Sequence, residues 1–457
     1  MKYGKFLPEN GTIGFVAPSF GCNIEPYKSA FENAQKVWTK EGYSLSLGPN
    51  VYEGCGIGIS NTPEKCAQEF NEWYEKEDVD VLISCGGGEL MCEILPYVDF
   101  EKIRQEEPKW FMGYSDNTNL LFLLATLCDT AGIYGPCAAA FGMEPWHESL
   151  KNSMEILTGM CKKVHNYDKW EREGLKTEEN PLVPYNVTEK FELRTWTAED
   201  GLSTGKEPEE IQSVSDCNKI SCDKVSAGEP HKIINEREEI AVKGRLLGGC
   251  LDCLATLCGT KFDKVEEFNE KYKEDGVLWF LEACDLNVMG IRRALWQLDE
   301  SGWFKNTKGF LIGRPYCYGE EFFGLDQYKA VIDILSKYNV PIIMDLDIGH
   351  LQILILSQDL TETDMWKDFF EYLREEPLAG ENIYVFQTQE PEKLLGWKEG
   401  GTSVGEYITG LMENRMDREQ KNGVTLRQVY YQWYQNGTLK KLPKITLSED
   451  QIQVWLE

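Results

Sequence analysis

Within the first 140 residues, short apolar runs ending in glycine or serine alternate with amphipathic stretches of helical length. GTIGFVAPS reads as a buried strand and PYKSAFENAQKVWTKEGY as an amphipathic helix, with apolar residues at helical spacing. TPEKCAQEFNEWYEKED opens on a Thr-Pro helix start signal. VDVLISCGGG reads as a strand running into glycines, ELMCEILPYV as a short helix, and KWFMGYS as a strand. DNTNLLFLLATLCDTAG is then a helix and IYGP a last strand. Strands separated by helices imply a parallel sheet covered on both faces. Ligand sites in such sheets lie at the carboxyl ends of the strands. Both SCGGGE and GYSD fall at such ends.

A chain of 457 residues has room for two or three domains, and a hydrophobic content of 42% marks most of it as globular. We expect an α/β fold with four parts. Residues 1–165 form an N-terminal parallel-sheet domain with flanking helices. Residues 166–240, rich in Glu, Lys, Asn and Ser, read as a charged linker or insertion. Residues 241–360 form a smaller C-terminal α/β domain, with strands in GVLWFLEACD, GFLIGRP and VPIIMDLDIGH and helices in MGIRRALWQLDESG and around QYKAVIDILSKY. Residues 361–457 are an extension with helical patches such as DMWKDFFEYLREE.

The net charge of −29 argues against nucleic acid or an anionic membrane as the main partner. The first residues carry no signal-peptide pattern and no apolar run is long enough to span a bilayer, so a cytoplasmic protein is expected. Fifteen cysteines, an odd number, point to reduced thiols. Cys250 and Cys253 form a CxxC with Cys258 nearby, but a zinc site needs a second ligand pair, so we read them as small apolar residues and expect no metal.

In FMGYSDNTNLL, Ser115 and Asp116 stand where an apolar strand turns into an apolar helix. A hydroxyl or carboxylate there caps the helix. It can also present a nucleophile on a tight turn at the positive end of the helix dipole. Of the four histidines, His147, His165 and His231 lie in polar surroundings, whereas His350 ends an apolar run after a glycine. A serine nucleophile needs an imidazole base. Glu282 ends the apolar strand of LWFLEACD, and orienting a histidine is one role that justifies a carboxylate there. Asp285 is its rival, three residues on. Gly86, Gly87 and Gly88 fit no nucleotide-binding pattern. Backbone N–H groups of Gly87 and Gly88, with that of Asp116, are candidates for an oxyanion hole.

These segments together resemble the serine LD-carboxypeptidases, a family that includes the microcin C immunity proteins. The matching stretches are IGFVAPS, ISCGGGELMCEILPYVDF, GYSDNTNLLF, IYGP, GRLLGGCLD, LWFLEACD followed by RRALWQL, and IGH, in order over residues 10 to 350. The resemblance implies a Ser–Glu–His triad on Ser115, Glu282 and His350, with the serine on the N-terminal domain and its partners on the C-terminal one. It also implies a serine carboxypeptidase or amidase that works through an acyl-enzyme without a cofactor. Its substrate would be a murein tetrapeptide or a microcin C-type peptidyl- or aminoacyl-nucleotide. Candidate substrate contacts are Tyr114 and Trp196, with Arg292, Arg293 or Arg314 to meet an anionic group. For each arginine the competing reading is a structural ion pair. A homodimer is compatible with this reading.

The sequence departs from the family after His350, where LQILILSQDL and about a hundred further residues follow. Two other readings stand beside this one. An α/β-hydrolase esterase is weakened because Gly113-Tyr114-Ser115-Asp116-Asn117 lacks the second glycine of GxSxG. The remaining reading is a non-catalytic binding protein on the same fold.

Overall fold

A computed structural model describes residues 1–55, 58–161, 164–172, 174–198 and 241–348, together with the backbone of short strands at 201–204 and beyond 355. Thirteen elements build the first part: β1 Thr12–Val16, α1 Tyr27–Lys40, β2 Ser44–Leu47, α2 Pro63–Glu75, β3 Val81–Ser84, α3 Phe100–Gln105, β4 Trp110–Gly113, α4 Thr118–Thr126, β5 Ile133–Tyr134 and α5 Glu148–Leu157, with 3-10 turns at Met91–Tyr97, Ser115–Asn117 and Ala138–Gly142. The five strands form one sheet in the order β2-β1-β3-β4-β5, and every pairing is parallel. The order reverses at β1, so the switch point at which sheets of this kind place their ligands lies between the ends of β1 and β3, beside β4.

Beyond residue 165 come β6 Lys169–Glu171, β7 Val187–Lys190, β8 Arg194–Thr197 and β9 Gly201–Thr204. Next are β10 Arg245–Cys250, α6 Leu251–Leu257, α7 Val265–Lys271, β11 Val277–Glu282, α8 Val288–Glu300 and β12 Thr307–Gly313. β13 Glu321–Phe322, β14 Leu325–Asp326, α9 Gln327–Leu335 and β15 Ile342–Leu346 follow. A six-stranded sheet runs β10-β11-β12-β15-β8-β9, parallel as far as β15 and antiparallel after it. This corrects the reading of 166–240 as a linker in its first part. β6 and β7 form a hairpin, and β8 completes the C-terminal sheet with Trp196 opposite Ile342. The charged composition hid these strands because they are short and half-exposed.

Helix α4 explains how the two sheets come to share a core. Thr118 through Ala125 are all buried, which suits a helix that is apolar on every side. Phe122 stacks on Trp303 at 5.1 Å between ring centroids and lies 6.4 Å from Trp279, so a helix of the N-terminal sheet packs into the core of the C-terminal one. That single cluster joins Leu120 to Leu124 with Leu251, Leu254, Leu281 and Leu295.

The second compact unit comprises residues 352–457 with 56–58. Its described strands, Leu356–Ser357, Gln387–Thr388, Lys444–Ser448 and Gln451–Trp455, form one four-stranded sheet; Lys398–Glu399 and Thr402–Ser403 pair as a hairpin. The helical patches expected at 361–457 lie outside the described residues.

Gly248 in β10 has φ +152°, and a Cβ there would stand 1.7 Å from the carbonyl oxygen of Phe280. Gly248→Ala should therefore destabilise the fold by about 3 kcal/mol or more. Gly259 also has a positive φ, +77°, but nothing lies within 4 Å of its missing Cβ. Gly259→Ala should cost only about 1 kcal/mol. Urea denaturation of the two variants checks the difference.

Candidate active site at the junction of the two sheets

Strand β4 ends at Gly113, and the chain then turns so sharply that Ser115 takes φ +59°, in the left-handed region. A side chain there is strained and persists only where its surroundings over-determine it. Gly113 admits the turn, since a Cβ on it would lie 2.6 Å from Cγ of Asn117. Asn117 is buried and donates from Nδ2 to the carbonyls of Gly86 (2.9 Å) and Tyr114 (3.0 Å). The elbow is thereby tied to the loop after β3. A Cβ on Gly87 would stand 3.1 Å from Cβ and 3.2 Å from Oγ of Ser115, so the glycine loop lies directly against the serine.

Asp116 faces inward. Its Oδ2 accepts hydrogen bonds from Oγ of Ser19 (2.5 Å) and the backbone N–H of Met91 (2.8 Å), and its Oδ1 accepts one from Asn119 (2.8 Å). These bonds pull the ends of β1, β3 and β4 together. Burial raises the pKa of Asp116 and the donors oppose that shift.

The C-terminal sheet presents Glu282 at the carboxyl end of β11, 5% exposed. Its Oε1 accepts a 2.5 Å hydrogen bond from the phenol of Tyr134, and the same phenol oxygen accepts the backbone N–H of Ser115 at 2.9 Å. Burial pushes the Glu282 carboxyl up to about 7, against the lowering effect of the Tyr134 hydrogen bond. Asp285 is exposed and lies past the strand end; its backbone N–H donates to Asp252 Oδ1 at 3.1 Å. Only Glu282 is therefore buried at the strand end, beside the serine turn. His350 lies outside the described residues, as does His231. Three residues before His350, the chain is fixed by Asp347, which accepts from the Arg314 guanidinium and from the backbone N–H of Tyr167.

The other histidines have structural partners. His147 caps α5 by accepting from the N–H of Ser149, and its ring packs edge-on against Tyr167 and Tyr185. His165 bonds to Asn152 and to the carbonyl of Asn166.

Tyr114 is half-buried at the elbow, and burial raises its phenol pKa. The remaining candidates stand in other settings. Trp196 lies in β8 and packs against the core of the C-terminal sheet. Arg292 is paired with Asp333 across α8 and α9 at 2.5 Å, and Arg293 is exposed on α8. Arg314, 8% exposed, bonds to the Asp345 carbonyl and to Asp347 and lies over the Trp170 ring at 4.6 Å; it is a structural ion pair. Sequence reasoning missed Tyr134, Ser19 and Asp252. A tyrosine closing the two-residue strand of IYGP gives no signal of where its hydroxyl points.

Cys250 and Cys253 flank this junction. The Cys253 thiol lies 3.8 Å from the Ser115 carbonyl, and the Cys250 thiol lies against Glu282 and Asp252. Both thiols have raised pKa values: Cys250 chiefly through the neighbouring Cys253, and Cys253 because its lowering hydrogen bond with Cys250 is outweighed by burial together with the carboxylates of Asp116, Asp252 and Glu282. No group of His, Cys, Asp and Glu among the described residues is arranged to hold a metal ion. No helix among them is long and apolar enough to cross a membrane.

Fold and site together define a two-domain α/β protein whose polar centre lies where the carboxyl ends of two sheets meet. Comparison with known families assigns it. Residues 13–135 match the LD-carboxypeptidase N-terminal domain and residues 243–356 the LD-carboxypeptidase C-terminal domain. The chain belongs to this peptidase family. The first match contains Gly87, Ser115, Asp116 and Tyr134, and the second contains Glu282 and His350. Residues 322–447 also match the spore germination protein N-terminal domain, overlapping the end of the family match and running through the extension. A Vibrio cholerae serotype O1 protein bearing a provisional carboxypeptidase name is 23% identical over 78% of this chain and 92% of its own. The microcin C7 self-immunity protein MccF of Escherichia coli is 22% identical over 75% of this chain and 87% of its own. Among solved structures, MccF in complex with glutamyl sulfamoyl guanosine aligns with a TM-score of 0.57 at 20% identity, covering 76% of this chain and 90% of that one. An MccF-like protein of Bacillus anthracis aligns with a TM-score of 0.55 at 19% identity, covering 77% and 91%.

The raised pKa of Glu282 has a consequence for stability. An unfolded glutamate ionises near 4.5, so between there and about 7 the folded state holds the extra proton. Stability contributed by this group therefore falls as pH rises across that interval. Glu282→Gln should leave stability unchanged at pH 4 and raise it at pH 8, by a margin on the order of 3 kcal/mol. Denaturation of both proteins at the two pH values measures it.

Proposed function

We propose that this protein is a serine amidase, in which Ser115 attacks an amide carbonyl and forms an acyl-enzyme that water then hydrolyses. The observation that carries this reading is the strained Ser115, packed on Gly87 and joined through Tyr134 to the buried Glu282. His350 acts as general base towards Ser115 and then as general acid towards the leaving group. Glu282 orients the imidazole and stabilises its charged form. Because the Ser115 N–H is already bonded to Tyr134, the oxyanion falls to the N–H groups of Asp116 and of the Gly87–Gly88 loop. These steps use side chains and backbone N–H groups alone.

The substrate class is a small acyl compound with an anionic end: a murein tetrapeptide losing its terminal residue, or an aminoacyl- or peptidyl-nucleotide. Relatives of the MccF type have been solved with aspartyl sulfamoyl adenosine and with adenosine monophosphate, which makes the nucleotide class the first to assay. Incubating the purified chain with a murein tetrapeptide and an aspartyl sulfamoyl adenosine side by side, with product analysis by mass spectrometry, tests both. Turnover of neither would count against the proposal.

Ser115→Ala should lower turnover by a factor on the order of 10³ or more without altering the fold, since the members of a triad act as a unit. His350→Ala should do the same, whereas His147→Ala and His165→Ala should leave the rate within a few-fold. Glu282→Gln should cost several hundredfold or more, and Asp285→Asn little. Steady-state kinetics ranks them. Activity should fall as pH drops through about 7, where Glu282 takes up its proton.

A further inference from the structure

We infer that Tyr134 is a positioning residue that sets the two halves of the site against each other, giving Glu282 a donor while fixing the backbone of Ser115. The inference rests on the roles given to Ser115 and Glu282 above. Its geometry is specific. Tyr134 closes β5, whose register places it opposite Gly113, two residues before the serine. Its ring packs against Phe280 at 5.4 Å between centroids, on the strand that carries Glu282. From there the phenol oxygen accepts the Ser115 N–H at 2.9 Å and donates its own hydrogen to Glu282 Oε1 at 2.5 Å.

Three physical consequences follow. The N–H of a residue in the left-handed region receives a fixed acceptor, which holds the strained turn in one state. Next, a carboxylate buried with no cation against it among the described residues gains a donor that favours its ionised form. Finally, the acid and the nucleophile belong to different sheets, and one hydroxyl bridges them, so a shift of either sheet is transmitted to the other. Burial keeps the Tyr134 phenol protonated far above neutral pH, so it remains a donor throughout the working range. Cys250 cannot substitute for it, because its thiol also faces Asp252 and is a weak donor.

The test uses the full chain with Tyr134→Phe, which removes the hydroxyl and keeps the ring. The readout is the pH dependence of Ser115 labelling by a fluorophosphonate, a reaction that requires no knowledge of the substrate, with kcat and KM on whichever substrate is turned over. We expect labelling and kcat to fall roughly 10- to 100-fold with KM nearly unchanged. The acid limb of the profile should also move to higher pH, because Glu282 loses a donor that favoured its anion. A profile and rate like those of wild type, with Ser115→Ala unlabelled, would overturn this inference and leave the serine amidase intact. A slower rate with an unmoved acid limb would also overturn it, since a merely structural tyrosine has that effect. Absence of any label on wild-type Ser115 would remove both readings together. Should Tyr134→Phe not fold, 3-fluorotyrosine at position 134 keeps the shape and makes the hydroxyl a stronger donor. The acid limb should then move to lower pH, and an unmoved limb overturns the inference.

Discussion

Ser115 in the left-handed region is the constraint from which the rest of the site follows. An ordinary residue with φ +59° relaxes unless its neighbours hold it. Here they hold it on every side. Gly113 leaves room for Asn117, Asn117 ties the turn to the Gly86 carbonyl, and the Asp116 carboxylate gathers the ends of three strands through Ser19, Met91 and Asn119. Thr118 extends the same logic across the domain boundary. Its hydroxyl accepts the Cys250 N–H at 2.9 Å, and Gly249 is required beside it because a Cβ there would stand 2.6 Å from the threonine methyl. The helix that starts at the elbow is thus clamped to the first strand of the second sheet.

Much of this was legible in the sequence, for definite reasons. A buried parallel strand is a run of apolar residues, so ISCGGG and KWFMGYS announce both their type and the face of the sheet where they end. Ser115, Gly87 and Asp116 sit at those ends, and the structure brings them together. β2 was not legible: SLSL alternates small polar and apolar residues at a sheet edge, where few neighbours demand an apolar side chain. β8 was hidden for a similar reason, since Arg194, Thr195 and Thr197 look like linker residues until Arg194 is seen paired with Asp345 at 3.1 Å. Tyr134 was illegible because its importance lies in two hydrogen bonds, one of them to a residue 148 positions away. No periodicity records such a contact.

The electrostatics of the junction bear on what it can bind. The chain carries a net charge of −29, and the arginines around the ends of β12 and β15 are already engaged by acids: Arg314 by Asp347, Arg194 by Asp345, and, on the neighbouring helices, Arg292 by Asp333. Asp116 and Glu282, at the junction beside the serine turn, are balanced by neutral donors. A neutral donor satisfies a buried carboxylate without neutralising it, so its negative potential remains to stabilise a cation that forms during a reaction. In the proposed mechanism that cation is the imidazolium of His350. A pre-formed salt bridge to Glu282 would have cancelled that field before the chemistry began. The hydroxyl of Tyr134 lets the carboxylate stay buried while leaving its charge available, and the pKa of Glu282 near 7 is the physical mark of that compromise.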